Sequence, residues 1–130
     1  MRNRKRIAVF LVVLLALAGC GHKVAKEASY VNITAQEAKE LMDREEGYVI
    51  LDVRTEEEYA QGHIPGAILI PDYEIETKAE DILKDKNQML LVYCRSGRRS
   101  KNAAQVLLNL GYTDIREFGG IIDWPYDIER

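Results

Sequence analysis

"QMLLVYCRSGRRS", Gln88 to Ser100, sets the frame in which the rest of the chain is read. Its first half is an apolar, uninterrupted run, the pattern of a strand buried on both faces of a parallel sheet. Its second half gathers a thiol, three arginines, a glycine and two serines. From Ser100 to Leu110 the residues Ala103, Ala104, Leu107, Leu108 and Leu110 repeat at helical spacing, and Gly111 stops the run. Strand, tight loop and helix follow one another directly. Cys94 therefore falls at the carboxyl end of a central strand, where open α/β sheets hold their ligands.

The loop is built for an anion. Gly97 permits backbone geometry barred to other residues. A short loop of this kind turns successive N–H groups inward as a nest. The amino end of the following helix adds partial positive charge, and Arg95, Arg98 and Arg99 stand beside it. All of these favour thiolate over thiol at Cys94. Ser100 is expected to cap the helix, with Ser96 as a further hydroxyl donor. A packing cysteine sits among apolar neighbours, and this one does not. Strand–cysteine–loop–helix serves several classes of enzyme, however, and the loop alone leaves them open.

Outward from the loop, strands and helices alternate. "YVNIT" reads as a strand over Tyr30–Ile33, and Thr34 with Glu37 is a capping box opening a helix to about Arg44, with Gly47 as its stop. "YVILDV" is a second buried strand ending at Asp52-Val53-Arg54. Thr55 with Glu58 opens a short helix, "GHIPGA" is a turn, and "AILIP" is a short strand. Tyr73 to Leu83 reads as a helix, "TDIREF" as the last strand, and Gly119-Gly120 with Trp124-Pro125 closes the domain. The alternation predicts an α/β fold with a parallel sheet and helices on both faces.

The amino end has a different character. Arg2, Arg4, Lys5 and Arg6 precede Ile7 to Ala18, twelve apolar residues. A spanning helix needs about 20, so the segment reads as an export signal. Leu17-Ala18-Gly19-Cys20 resembles the bacterial lipobox, which implies that Cys20 is the lipid-modified first residue of the mature chain, palmitate being an expected acyl group. The expected division is a signal over 1–19, a tether over 20–29 and a domain over 30–130. The domain would lie outside the cytoplasm, held to the cell membrane by lipid. Two cysteines in an exported chain can pair. With Cys20 lipidated, Cys94 stands alone and reads as chemical rather than structural.

The chain of 130 residues has a net charge of −3, and taking away the +4 of residues 1–19 leaves −7. Such an acidic domain argues against a nucleic-acid partner. There is no metal-ligand cluster and no glycine-rich nucleotide motif, so no cofactor is expected.

Three separated stretches carry a family resemblance. "LDVRTEEEYAQGHIPGAILIP", "VYCRSGRRS" and "GYTDIREFGGIIDW" resemble, in order, the first signature, the active-site loop and the closing segment of single-domain rhodaneses. The match runs from about Val31 to Trp124. It implies the rhodanese-like fold, a five-stranded parallel sheet with helices on both faces. It also implies a sulfurtransferase in which Cys94 carries a sulfane sulfur as a persulfide. Arg95, Ser96, Gly97, Arg98, Arg99 and Ser100 would form the substrate loop, with Arg98 at a position often basic in thiosulfate-using members. Asp52 and Arg54 match a strand-end pair that supports the site, read chiefly as a structural ion pair. Glu58 and His63 match the first signature, and His63 is read as a hydrogen-bonder more than a base. The donor would be thiosulfate or a similar sulfur anion, and the acceptor a thiol, cyanide or a protein. Two other readings are a partner-binding module without catalysis, and a cysteine phosphatase or arsenate reductase. The phosphatase relatives within this fold have a loop one residue longer, and Cys94 in an intact loop opposes the binding module.

Overall fold

The computed structural model describes residues 28–130; the signal expected over 1–19, Cys20 and the expected tether as far as residue 27 lie outside the described residues. Five strands form one sheet: β1 (Val31–Asn32), β2 (Val49–Asp52), β3 (Ile68–Leu69), β4 (Met89–Cys94) and β5 (Asp114–Gly120). Between them lie α1 (Ala35–Arg44), α2 (Glu56–Gln61), α3 (Ile75–Ile82) and α4 (Arg98–Asn109). Every strand pair is parallel, in the order β1-β5-β4-β2-β3. This is the five-stranded sheet that the alternation of elements and the resemblance call for.

The central strand β4 shows why the fold holds. Leu90, Val92 and Cys94 face one side and meet Ile75 and Ala79 of α3 and Ala103, Ala104 and Leu107 of α4. Leu91 and Tyr93 face the other and meet Ala38 and Leu41 of α1 with Ile64, Phe118 and Trp124. Both faces of a parallel strand are covered, so its sequence carries no polar alternation. The edge strands β1 and β3 have two residues each, which leaves little open edge for unwanted pairing.

The helix starts follow local chemistry. In both α1 and α2 the threonine oxygen accepts the backbone N–H of the third helical residue, and that residue's glutamate accepts the threonine's N–H. Some limits differ from expectation. The helix foreseen over Tyr73–Leu83 begins as a tight 3₁₀ turn at Asp72–Glu74 before α3, a common way to open a helix. α1 ends on Glu45, and Gly47 lies in the turn beyond it with φ +73°.

The carboxyl ends of β2 and β4 are tied by a buried polar network. Asp52 is fully buried and Arg54 nearly so. The Arg54 guanidinium donates to Asp52 at 2.7 and 3.0 Å and also to the Gly62 carbonyl at 2.7 Å. The Tyr93 hydroxyl donates to Asp52 at 2.6 Å and accepts the Ile64 N–H at 3.0 Å. Burial, with the neighbouring Asp52 charge second, raises the Tyr93 pKa, so the phenol stays protonated as the donor this network needs. Asp52→Asn would leave the Arg54 cation buried without its counter-charge, a class of change that costs about 3–5 kcal/mol. The expected result is a lower urea midpoint at unchanged slope, and wild-type stability would contradict this account.

Candidate active site

The site grows from an irregularity where β4 meets β5. Val92 pairs with Glu117, but Cys94 pairs with Gly120, so β5 carries one extra residue in this interval. Gly119 takes up the bulge with φ +87°, a conformation that favours glycine. The shift brings Gly120 under the loop that leaves β4. A Cβ on Gly120 would lie 1.9 Å from the Arg95 carbonyl oxygen and 2.6 Å from the Ser96 Cα. Only glycine lets the loop come this close. The Ile122 N–H then donates to that Arg95 carbonyl at 3.3 Å.

Gly97 turns the chain into α4 with φ +101° and serves as its N-cap residue. Its N–H donates to the Cys94 sulfur at 3.0 Å. The donor sits at the positive end of a twelve-residue helix, so dipole and hydrogen bond both favour negative charge on sulfur. Cys94 is a free thiol and is 1% exposed.

Ser100 is not the cap that the sequence suggested. The left-handed turn at Gly97 starts α4 at Arg98, so Ser100 lies in the first turn. Its hydroxyl is taken up elsewhere. It donates to Glu117 at 2.6 Å, lies 3.1 Å from the Gly97 carbonyl, and stands 3.3 Å from the Cys94 sulfur.

The three arginines separate into two kinds. Arg99 makes a two-pronged pair with Glu58, at 2.7 and 2.9 Å. Glu58 also caps α2, so one carboxylate joins the starts of α2 and α4. The Arg99 hydrogen bond pulls the Glu58 pKa down to about 2, against a smaller opposing effect of burial. Arg95 and Arg98 are exposed and form no ion pair among the described residues. They are the cations open to an incoming anion. Ser96 is exposed at the loop tip.

Asp52 and Arg54 lie in the network at the end of β2 described above. Arg54 and Arg95 also line one groove, of about 310 Å³, with Glu58, Ile121, Ile122 and Ile128. His63 stacks on Tyr59 with ring centres 3.8 Å apart, and its Nδ1 lies 3.0 Å from the Tyr59 carbonyl. Its backbone pairs with Glu129 in an isolated antiparallel bridge, so the end of the chain folds back over this turn. Among the described residues no acidic, histidine or cysteine cluster could hold a metal.

Three residues of the site were not singled out from sequence. Glu117 falls in phase with Ile115, on the buried side of β5, and a carboxylate at an apolar phase was the available signal. Gly120 reads from the sequence only as part of the closing turn, since the loop it supports lies 25 residues away. Tyr93 sits within the apolar run of β4, where nothing local marks its hydroxyl as a network partner.

A family model, the rhodanese-like domain, matches residues 34–125. The chain belongs to the rhodanese-like domain family. It is 41% identical over 73 residues to the thiosulfate sulfurtransferase PspE of Escherichia coli, which covers 56% of this chain and 70% of that one. It is 36% identical over 107 residues to the putative sulfur carrier protein YrkF of Bacillus subtilis, covering 82% of this chain and 57% of that longer one. A solved Escherichia coli structure described as a rhodanese with anions superposes with a TM-score of 0.60 at 36% identity, covering 64% of this chain and 98% of the other. The family's relatives thus include sulfurtransferases, and transfer of sulfur is the general activity they support.

Gly120→Ala tests the bed of the loop. Forcing a methyl against backbone atoms is overpacking with no flexible neighbour to give way. The expected loss is about 1–3 kcal/mol of stability by urea titration, with sulfur-transfer activity reduced as the loop lifts. A variant with the stability and activity of the wild type would show that the close approach is not needed.

Proposed function

We propose that this protein is a thiosulfate sulfurtransferase working through a persulfide on Cys94. The observation that carries the reading is the Cys94 sulfur, at the carboxyl end of the central strand, accepting the Gly97 N–H at 3.0 Å in front of α4. The similarity to PspE supports the choice of donor.

The reaction divides into two displacements. The Cys94 thiolate attacks the outer sulfur of thiosulfate. A bond forms between the two sulfurs, the S–S bond of the donor breaks, and sulfite leaves with its electron pair. Arg95 and Arg98 hold the donor's oxygens by charge-assisted hydrogen bonds. In the second half an acceptor (a thiol, cyanide or a protein thiol) attacks the outer sulfur of the persulfide, and the Cys94 thiolate returns. Electrons balance without any redox cofactor, because in each step one nucleophile displaces another from the same sulfur and the departing group keeps the bonding pair.

The soluble part, incubated with thiosulfate and weighed by mass spectrometry, is expected to gain one sulfur atom on Cys94, and cyanide should remove it. Cys94→Ala should abolish both the adduct and turnover. An unchanged mass in the wild type would sink the persulfide reading and favour a module that only binds a partner.

The proposal extends to location. The "LAGC" run at Leu17–Cys20 supports a lipid anchor on Cys20, with the domain outside the cytoplasm. The full-length protein should sediment with membranes, and Cys20→Ala should accumulate as uncleaved precursor or be released. A wild-type protein recovered free of membrane after export would rule out the anchor.

A further inference from the structure

Glu117 is 2% exposed and lies on the side of β5 that carries Ile115. An apolar residue would serve packing better, since a buried carboxylate is costly unless matched. The other buried carboxylate, Asp52, has Arg54 at 2.7 Å. Glu117 forms no ion pair among the described residues. What it holds is Ser100, whose hydroxyl donates to Oε1 at 2.6 Å, and Gly119, whose N–H donates to the same oxygen at 2.9 Å.

Ser100 has a single hydroxyl proton. A bond of this length to a carboxylate belongs to the strong, charge-assisted kind, so the proton is committed to Glu117. The Ser100 oxygen therefore shows its lone pairs to the Cys94 sulfur 3.3 Å away. It accepts from a thiol and gives nothing to a thiolate. Behind it stands the Glu117 carboxyl group.

We propose that Glu117 is a positioning residue that acts through Ser100: it turns the hydroxyl proton away from Cys94 and sets a buried negative charge behind it, opposing ionisation of the thiol. The proposal rests on Cys94 being the reactive group. The other charged groups around the sulfur are Arg95 and Arg98, both exposed, and Arg99, paired to Glu58 of α2. Asp72, from the turn before α3, shares the electrostatic neighbourhood of Arg99 with Cys94. The cations and the Gly97 N–H favour the thiolate, and Glu117 is the buried counterweight. Its effect is greatest on charge at the inner sulfur. In a persulfide the charge moves one bond outward, so the same carboxylate tilts the site toward its sulfur-loaded form.

The test titrates Cys94 directly in the full chain without any sulfur donor, so it reads out even if sulfur transfer fails. Thiolate ultraviolet absorbance is followed against pH and taken as the difference from Cys94→Ala. Glu117→Gln keeps an oxygen for Ser100 and Gly119 while removing the charge. Its thiolate should appear at lower pH by about one unit, about tenfold more thiolate on the acid side. Glu117→Ala should shift in the same direction, and Asp114→Asn on the same strand should not shift. An unmoved titration in Glu117→Gln overturns the proposal. A shift to higher pH also overturns it, and would make Glu117 the acceptor of the Cys94 proton instead. Loss of native near-ultraviolet dichroism in both Glu117 variants would mark the carboxylate as structural and overturn the proposal as well.

Discussion

The contact on which the site depends is that of the Arg95 carbonyl against Gly120. Two backbones meet there at a distance that excludes any side chain. This contact seats the loop on β5, and the seat fixes the turn at Gly97. The turn in turn aims an amide at sulfur and starts a helix behind it. Catalytic geometry here is thus a consequence of strand pairing. The bulge that sets Cys94 opposite Gly120 selects which backbone atoms face the Cys94 sulfur. Preorganised donors of this kind need no rearrangement when charge develops.

Much of the architecture was legible from sequence because its signals are local and redundant. The capping boxes at Thr34 and Thr55 and the apolar run of β4 each specify one element without reference to distant residues. The site was legible where its chemistry is concentrated in neighbouring residues, as at Cys94 to Ser100. It was not legible where partners come from elsewhere in the chain. Glu58 and Arg99 are 41 positions apart, and Ser100 and Glu117 are 17 apart. Nothing in a linear pattern joins them. The misplaced cap at Ser100 has a different origin: a serine before a helical stripe is a sound capping signal, but the left-handed turn at Gly97 starts the helix two residues before it, at Arg98, and a carboxylate from β5 then takes the hydroxyl.

The loop's positive charge is also smaller than the sequence suggests. Three arginines in five residues look like a strong field, yet one is matched by Glu58 and serves to hold α2 and α4 together. The field offered to an anion comes from Arg95, Arg98 and the amino end of α4.

The sheet also has a direction. All five strands run the same way, so their carboxyl ends, with Cys94 among them, share one pole of the domain. Ala28 and Ser29, which lead into β1, line one hollow with Gly111 and Thr113 just before β5 begins, and so lie toward the other pole. Whatever is joined ahead of Ala28 therefore meets the domain away from Cys94, and leaves the thiol's pole uncrowded.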